Sequence, residues 1–329
     1  IQDETEHRHA GVLSLVAVEV TKPSRRVTAR AVVLLAMAIP CSACGRAAVR
    51  PATSAELSGG IARSGTPDTG APSAGRDTAT GTGAGPALLA ALAAGKVVDL
   101  THTFDSTTVY WPTEKEGFRL EVEHDGPTPG GWHYTANKVH IPEHGGTHMD
   151  APIHFAAGRL TADRVPLSSL IGPAVVVDVT ASAAADRDYR VAQADLERWE
   201  AAHGRIPDGA IVVMRSGWSA RWPDRERVLG TAVAGDVANL HFPSFSIEAA
   251  KWLLQERRIA GIAVDTPSID HGPSKDFVVH RAMNGADRPG FENLADLERL
   301  PEAGAVLVVL PMKIGGGSGG AARVIAILP

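Results

Sequence analysis

Along the C-terminal two-thirds of the chain, apolar residues gather into short runs at 97–100, 174–179, 210–214, 259–264, 305–310 and 324–328, with Asp99 and Asp178 the only polar residues among them. Each run is rich in Val, Ile, Leu or Ala and is bounded by Gly, Pro or Asp, which predicts buried β-strands. Two segments carry helical spacing, 192–202 and 247–256. In the second, Ile247, Ala250, Leu253 and Leu254 fall on one face and Ser246 stands at the N-cap position. Strands alternating with helices predict an α/β fold, a single domain with a mixed sheet and flanking helices.

The first hundred residues read differently. All sixteen Phe, Trp and Tyr lie at or beyond Phe104. Between 51 and 86, 29 of 36 residues are Gly, Ala, Ser, Thr or Pro, too little apolar surface to offset chain entropy. This predicts a flexible tether over 45–87 and a globular domain over 88–329. Upstream, Lys22, Arg25, Arg26 and Arg30 precede nine apolar residues, 31–39, which lead into Pro40-Cys41-Ser42-Ala43-Cys44. Basic, then apolar, then small is the layout of an export signal, and nine apolar residues are too few to span a bilayer. Residues 1–44 are therefore expected to be an N-terminal extension with such a signal, and the protein to be periplasmic or at the cell surface. The segment around Cys44 resembles a bacterial lipoprotein signal, which implies a lipid anchor there, and Ser24-Arg25-Arg26 is similar to part of a twin-arginine signal. A cytosolic extension is the alternative.

Charge and glycine pattern remove two function classes. With 32 Lys and Arg against 37 Asp and Glu and no long basic run, the chain has no footprint for nucleic acid. No phosphate-cradling loop follows any predicted strand, and the tail Gly315-Gly316-Gly317-Ser318-Gly319-Gly320 lacks the lysine and helix of one.

The chemistry lies in His144-Gly145-Gly146-Thr147-His148-Met149-Asp150-Ala151-Pro152-Ile153-His154-Phe155. Three imidazoles and a carboxylate are the nitrogen and oxygen donors that zinc, manganese or iron(II) favours. The glycine pair and Pro152 oppose a helix. On a strand, His148, Asp150 and His154 share a face, while the Gly-Gly bend brings His144 to the same point. By this reading His154 stands beside the metal as a proton carrier.

This segment resembles the signature of the metal-dependent cyclase family, which includes bacterial kynurenine formamidases and isatin hydrolases. Further similarities are Val98-Asp99-Leu100-Thr101-His102 with Tyr110-Trp111-Pro112, Gly261 through Ser268, His280-Arg281, and Phe291-Glu292-Asn293-Leu294. The resemblance implies a swivelling β/β/α fold. It implies one metal on His144, His148 and Asp150, a second shared by Asp150 with His280 and Glu292, catalysis by His154, and a homo-oligomer, dimer or tetramer. The expected cofactor is zinc or manganese, one ion or two.

Those donors predict hydrolysis of an acyl C–N bond. Thr147 and Asp265 are candidates to orient the imidazoles, and Asp265-Thr266-Pro267 reads equally as a turn. Trp111, Trp132, Tyr134, Trp218 and Phe242 are candidates for an apolar slot around an aryl or cyclic amide. Formamidase-like cleavage leads. An isatin-like lactam is an equal rival, and a non-catalytic exported metal-binding lipoprotein is the reading from another class.

Overall fold

The computed structural model describes residues 84–329; the export-type extension, Cys44 and the tether up to 83 lie outside the described residues. The last four residues assigned to the tether, 84–87, are helical and open α1 (Ala84–Ala93), whose Ala and Leu content favours a helix. Among the described residues no helix is long and apolar enough to cross a membrane.

The strands follow in the order β1 (Val97–Asp99), β2 (Arg119–Pro127), β3 (His133–His140), β4 (His148–Asp150), β5 (Ile171–Asp178), β6 (Arg190–Val191) and β7 (Ile211–Arg215). After these come β8 (Ser244–Phe245), β9 (Gly261–Val264), β10 (Gly290–Glu292), β11 (Val306–Pro311) and β12 (Gly319–Ile327). The remaining helices are α2 (Thr180–Ala185), α3 (Gln193–His203), α4 (Arg225–Leu229), α5 (Ile247–Glu256) and α6 (Val278–Gly285).

The main sheet runs β1-β12-β11-β5-β7-β9-β10-β4, and β4 also pairs with the start of β12. Gly319, Gly320 and Ala321 lie against β4, whereas 322–327 lie against β11. Seven strands therefore close into a ring. The steps β5–β7–β9–β10 are parallel and the others antiparallel, the mixed α/β architecture the apolar runs predict.

Closure explains why the predicted strands are apolar runs with so few polar positions. Ala174, Val176, Ile211, Val213, Ala263, Leu307 and Val309 pack in one core, the ring interior. Their neighbours Val175, Val177, Val212, Met214, Ile262 and Val264 pack in a second core with Leu196 and Trp199 of α3 and Ala249, Ala250 and Leu253 of α5. A strand buried on both faces has no polar side to alternate with. Each Val, Ile, Leu or Met side chain among them contributes roughly 1.5–3 kcal/mol by leaving water. Ser246 caps α5 as expected, its hydroxyl accepting from Ala249 N at 3.0 Å. The buried stripe, however, takes in Ala249 and leaves Ile247 partly exposed.

The β2–β3 hairpin pairs only within itself. Its strands carry Leu120, Val122, Tyr134 and Val139 exposed among charged residues, so no apolar run marks them.

Candidate metal centre

β4 supplies the centre of the site. Met149 points into the ring core with Phe291, so His148 and Asp150, one residue to either side, face outward toward α6. The antiparallel register with β10 places Glu292 directly opposite His148 and Gly290 opposite Asp150. On its other edge β4 meets β12, with Gly319 opposite Asp150. The Asp150 carboxylate is thus flanked by two residues without side chains. His144 reaches it through Gly145 and Gly146, at φ +140° and +58°. A Cβ on Gly145 would sit 2.1 Å from the Tyr110 ring and one on Gly146 2.4 Å from Phe104, so the bend needs glycine for space as well as for backbone.

Five of the six predicted side chains share one hydrogen-bonded cluster. Asp150 Oδ1 lies 2.6 Å from His144 Nδ1 and 3.3 Å from His148 Nε2, and Oδ2 lies 2.9 Å from His280 Nε2. Glu292 adds Oε1 at 3.2 Å from His280 Nε2 and Oε2 at 3.4 Å from His148 Nε2. His148, Asp150, His280 and Glu292 are all buried. His154, the sixth, stacks on His144 with ring centroids 3.8 Å apart and planes 19° apart. Its place differs from the strand reading. The chain leaves β4 after Asp150, and Pro152 opens a 3₁₀ turn, Pro152–His154, that brings His154 in from the side.

Each imidazole anchors its outer nitrogen elsewhere. His148 Nδ1 donates to Gly146 O at 3.0 Å and His280 Nδ1 to Asp270 Oδ2 at 2.8 Å. His144 Nε2 meets Ser318 Oγ at 2.9 Å. Asp270 also accepts from the backbone N of Val279 and His280 at the start of α6, fixing helix and ring together. With the outer nitrogens protonated, the inner ones aim lone pairs at carboxylate oxygens, acceptor against acceptor. Only cations between them relieve that arrangement, whether protons on the rings or a metal ion. The pKa pattern has the same cause. Burial alone lowers the His148 pKa, but Asp150 and Glu292 outweigh it and bring it to about 9. For His280, Asp150, Asp270 and Glu292 likewise overcome burial and raise the pKa well above the usual value. Burial works to raise the Asp150 pKa, yet the three surrounding imidazoles hold it well below the carboxylate range. Burial and the Asp150 charge push Glu292 up. A divalent ion replaces those protons without leaving a buried donor unpaired, and two overlapping groups have the spacing to chelate one: His144, His148 and Asp150, and Asp150, His154 and His280.

The orienting groups are not the two read from the sequence. Thr147 Oγ1 donates to Asn293 O, and Asp265 accepts from Ser216 N and Oγ and from Trp218 N, so both secure loops. Asp270 is the partner that sequence reading missed, because nothing local ties it to His280.

A cavity of about 240 Å³ opens over the cluster, walled by Val109, Tyr110, Trp111, Phe155, Pro267 and Phe277. Of the five aromatics proposed for this slot only Trp111 lines it. Trp132 and Tyr134 stand exposed in and beside the hairpin turn, and Trp218 and Phe242 belong to a separate buried cluster behind Trp111. Phe155 and Phe277 take their place, ring centroids 5.0 Å apart. Phe277 sits at φ +48°, ψ +46°, a conformation costly for a bulky residue, at the N-cap of α6. Burial, then the nearby Glu114, pushes the Tyr110 phenol to about 12.

The family model described as "Putative cyclase" matches residues 98–271, more than half of the chain. An isatin hydrolase of Roseibium aggregatum is 32% identical over 217 residues, covering 64% of this chain and 79% of that protein. A kynurenine formamidase of Salinibacter ruber is 26% identical over 242 residues, covering 70% of this chain and 96% of its own. Among solved structures, isatin hydrolase A from Ralstonia solanacearum superposes with a TM-score of 0.67 at 34% identity, covering 77% of this chain and all of the other. The mixed barrel with flanking helices is the swivelling β/β/α arrangement of these cyclase-type structures.

Proposed function

We propose, on the premise that this chain belongs to the cyclase family, that it is a metal-dependent hydrolase that opens a small cyclic aryl amide of the isatin type. The observation that carries this reading is the convergence of three imidazole lone pairs and two carboxylates beneath an aromatic-walled cavity. His144, His148 and Asp150 would hold one ion, and His280 and Glu292, on the other side of Asp150, a second. The all-nitrogen-and-oxygen donor set suits zinc or manganese. When bound, such an ion supplies Lewis acidity that polarises a carbonyl oxygen and makes water acidic near neutral pH.

The chain's own residues do the rest. Trp111, Phe155 and Phe277 hold a planar ring and exclude water from its faces. His154 stands at the cavity edge, where burial and then the neighbouring imidazoles lower its pKa to about 4 against the opposing charge of Asp150, so its ring is neutral with a lone pair. In the reaction the water oxygen bonds to the lactam carbonyl carbon and its proton passes to His154. The C–N bond breaks, and His154 returns the proton to the departing ring nitrogen.

The comparisons favour the lactam over the formamidase reading: the isatin hydrolase match is 32% identical, the kynurenine formamidases 25–29%. With the export-type leader, the proposal places this reaction outside the cytoplasm. The test is steady-state kinetics of manganese- or zinc-loaded protein on isatin and on an aryl formamide. We expect kcat/KM for isatin to be at least about tenfold higher, the scale of discrimination that pocket shape alone provides. The reverse order makes the protein a formamidase. A metal-loaded protein inert on both supports the non-catalytic metal-binding reading instead.

A further inference from the structure

We propose that Glu143 and Ser318 form a relay that fixes His144 as a metal ligand, so that the glycine-rich segment entering β12 is a positioning element of the metal site. The inference rests on the reading of His144 as a ligand.

His144 is the most exposed of the three imidazoles in the cluster, with 27% of its side chain accessible against 3% for His148 and 4% for His280. Burial alone therefore orients it least. Its orientation comes from Ser318, whose hydroxyl lies 2.9 Å from His144 Nε2 and donates to Glu143 Oε2 at 2.5 Å. Ser318 has one hydroxyl proton. A carboxylate only accepts, so that proton points at Glu143, and the oxygen lone pair accepts Nε2–H from His144. This fixes the tautomer with a lone pair on Nδ1, which faces Asp150 Oδ1. Glu143 thereby plays, through one hydroxyl, the part Asp270 plays directly for His280.

The glycines around Ser318 have the same origin. A Cβ on Gly319 would come within 2.6 Å of His144 Cε1 and 2.5 Å of Met149 O, and one on Gly317 within 2.7 Å of Glu143 Oε1. Neither glycine has a positive φ, so space and not backbone freedom requires them. The segment is pinned by Ala151 N, just past β4, donating to Ser318 O and by Ala162 N donating to Gly317 O, both at 2.9 Å. Glu143 Oε2 also accepts from Ser318 N at 2.9 Å, which holds the hydroxyl in register. A glycine-rich stretch with no nucleotide to cradle thus serves the metal site, passing close enough to the ring to present one hydroxyl.

The experiment is a competition titration of manganese or zinc against a chromophoric chelator, using the full chain as wild type, Ser318→Ala, Glu143→Gln and the double variant. Ser318→Ala should weaken metal binding about 10–100-fold, the range found for groups that orient ligands. Glu143→Gln keeps an acceptor without its charge and should weaken binding less. Because both act through one path, the double variant should lose little beyond Ser318→Ala alone, a non-additivity that two independent packing defects do not produce. Single variants within about twofold of wild type, or losses that simply multiply, overturn the relay. Glu143→Gln alters a partly exposed residue and keeps the test available if Ser318→Ala fails to fold. A wild type that holds no metal instead removes the reading on which the relay rests.

Discussion

Asp150→Ala protein, prepared in metal-replete medium, is expected to retain almost no bound ion and no measurable turnover. Among the described residues, Asp150 is the only one whose two oxygens reach three imidazoles: His144 and His148 through Oδ1 and His280 through Oδ2. Its loss removes the carboxylate common to both chelating groups and, among the described residues, leaves Glu292 as the sole carboxylate touching the inner nitrogens of His148 and His280. Without the ion the Lewis acid is gone, and the protein side chains left in place lack a substitute for it. The metal-free variant should also be less stable, by about 3–5 kcal/mol, because it keeps buried imidazoles that have lost their main counter-charge. Elemental analysis, turnover and thermal melting of Asp150→Ala and Asp150→Asn test this together. A variant with wild-type metal content places the ion elsewhere.

His154→Ala separates chemistry from binding. Turnover should fall about 10²–10⁴-fold, the usual contribution of a general acid–base group, while metal content stays near wild type. The geometry makes this a real test, since His154 belongs to one of the two groups with chelating spacing. The 3₁₀ turn brings the ring in from the side and stacks it on His144, whereas the other imidazoles are each held at the outer nitrogen. On the proposed mechanism, that posture leaves the His154 ring to move a proton. Metal content that falls with activity, both restored by excess metal, makes His154 a ligand.

What the sequence could and could not disclose follows the range of the forces involved. The barrel strands were readable because burial on both faces writes apolar runs such as 174–179 and 210–214 directly into the chain. The segment from His144 to Asp150 was readable because a bend and a short strand bring its donors together locally. Glu292 and His280 entered only through family resemblance. Nothing near Glu292 announces a partner, and its place opposite His148 is a register between strands more than a hundred residues apart. Asp270, Ser318 and Glu143 escaped for the same reason: they become neighbours of the imidazoles only when α6 docks and β12 closes on β4. The strand parity that placed His154 failed at Pro152, where a 3₁₀ turn replaces the extended chain. For the pocket wall, composition does not tell a cavity lining from a core, and of Trp111, Trp132, Tyr134, Trp218 and Phe242 only Trp111 lines the cavity.

The most direct measurement is anomalous diffraction from crystals of the protein grown with manganese or zinc, recorded on both sides of the metal's absorption edge. A peak is expected about 2.0–2.2 Å from a nitrogen of His144, a nitrogen of His148 and an oxygen of Asp150. Fully loaded crystals with no peak among these three side chains, or with a strong peak ligated by other residues, contradict that placement.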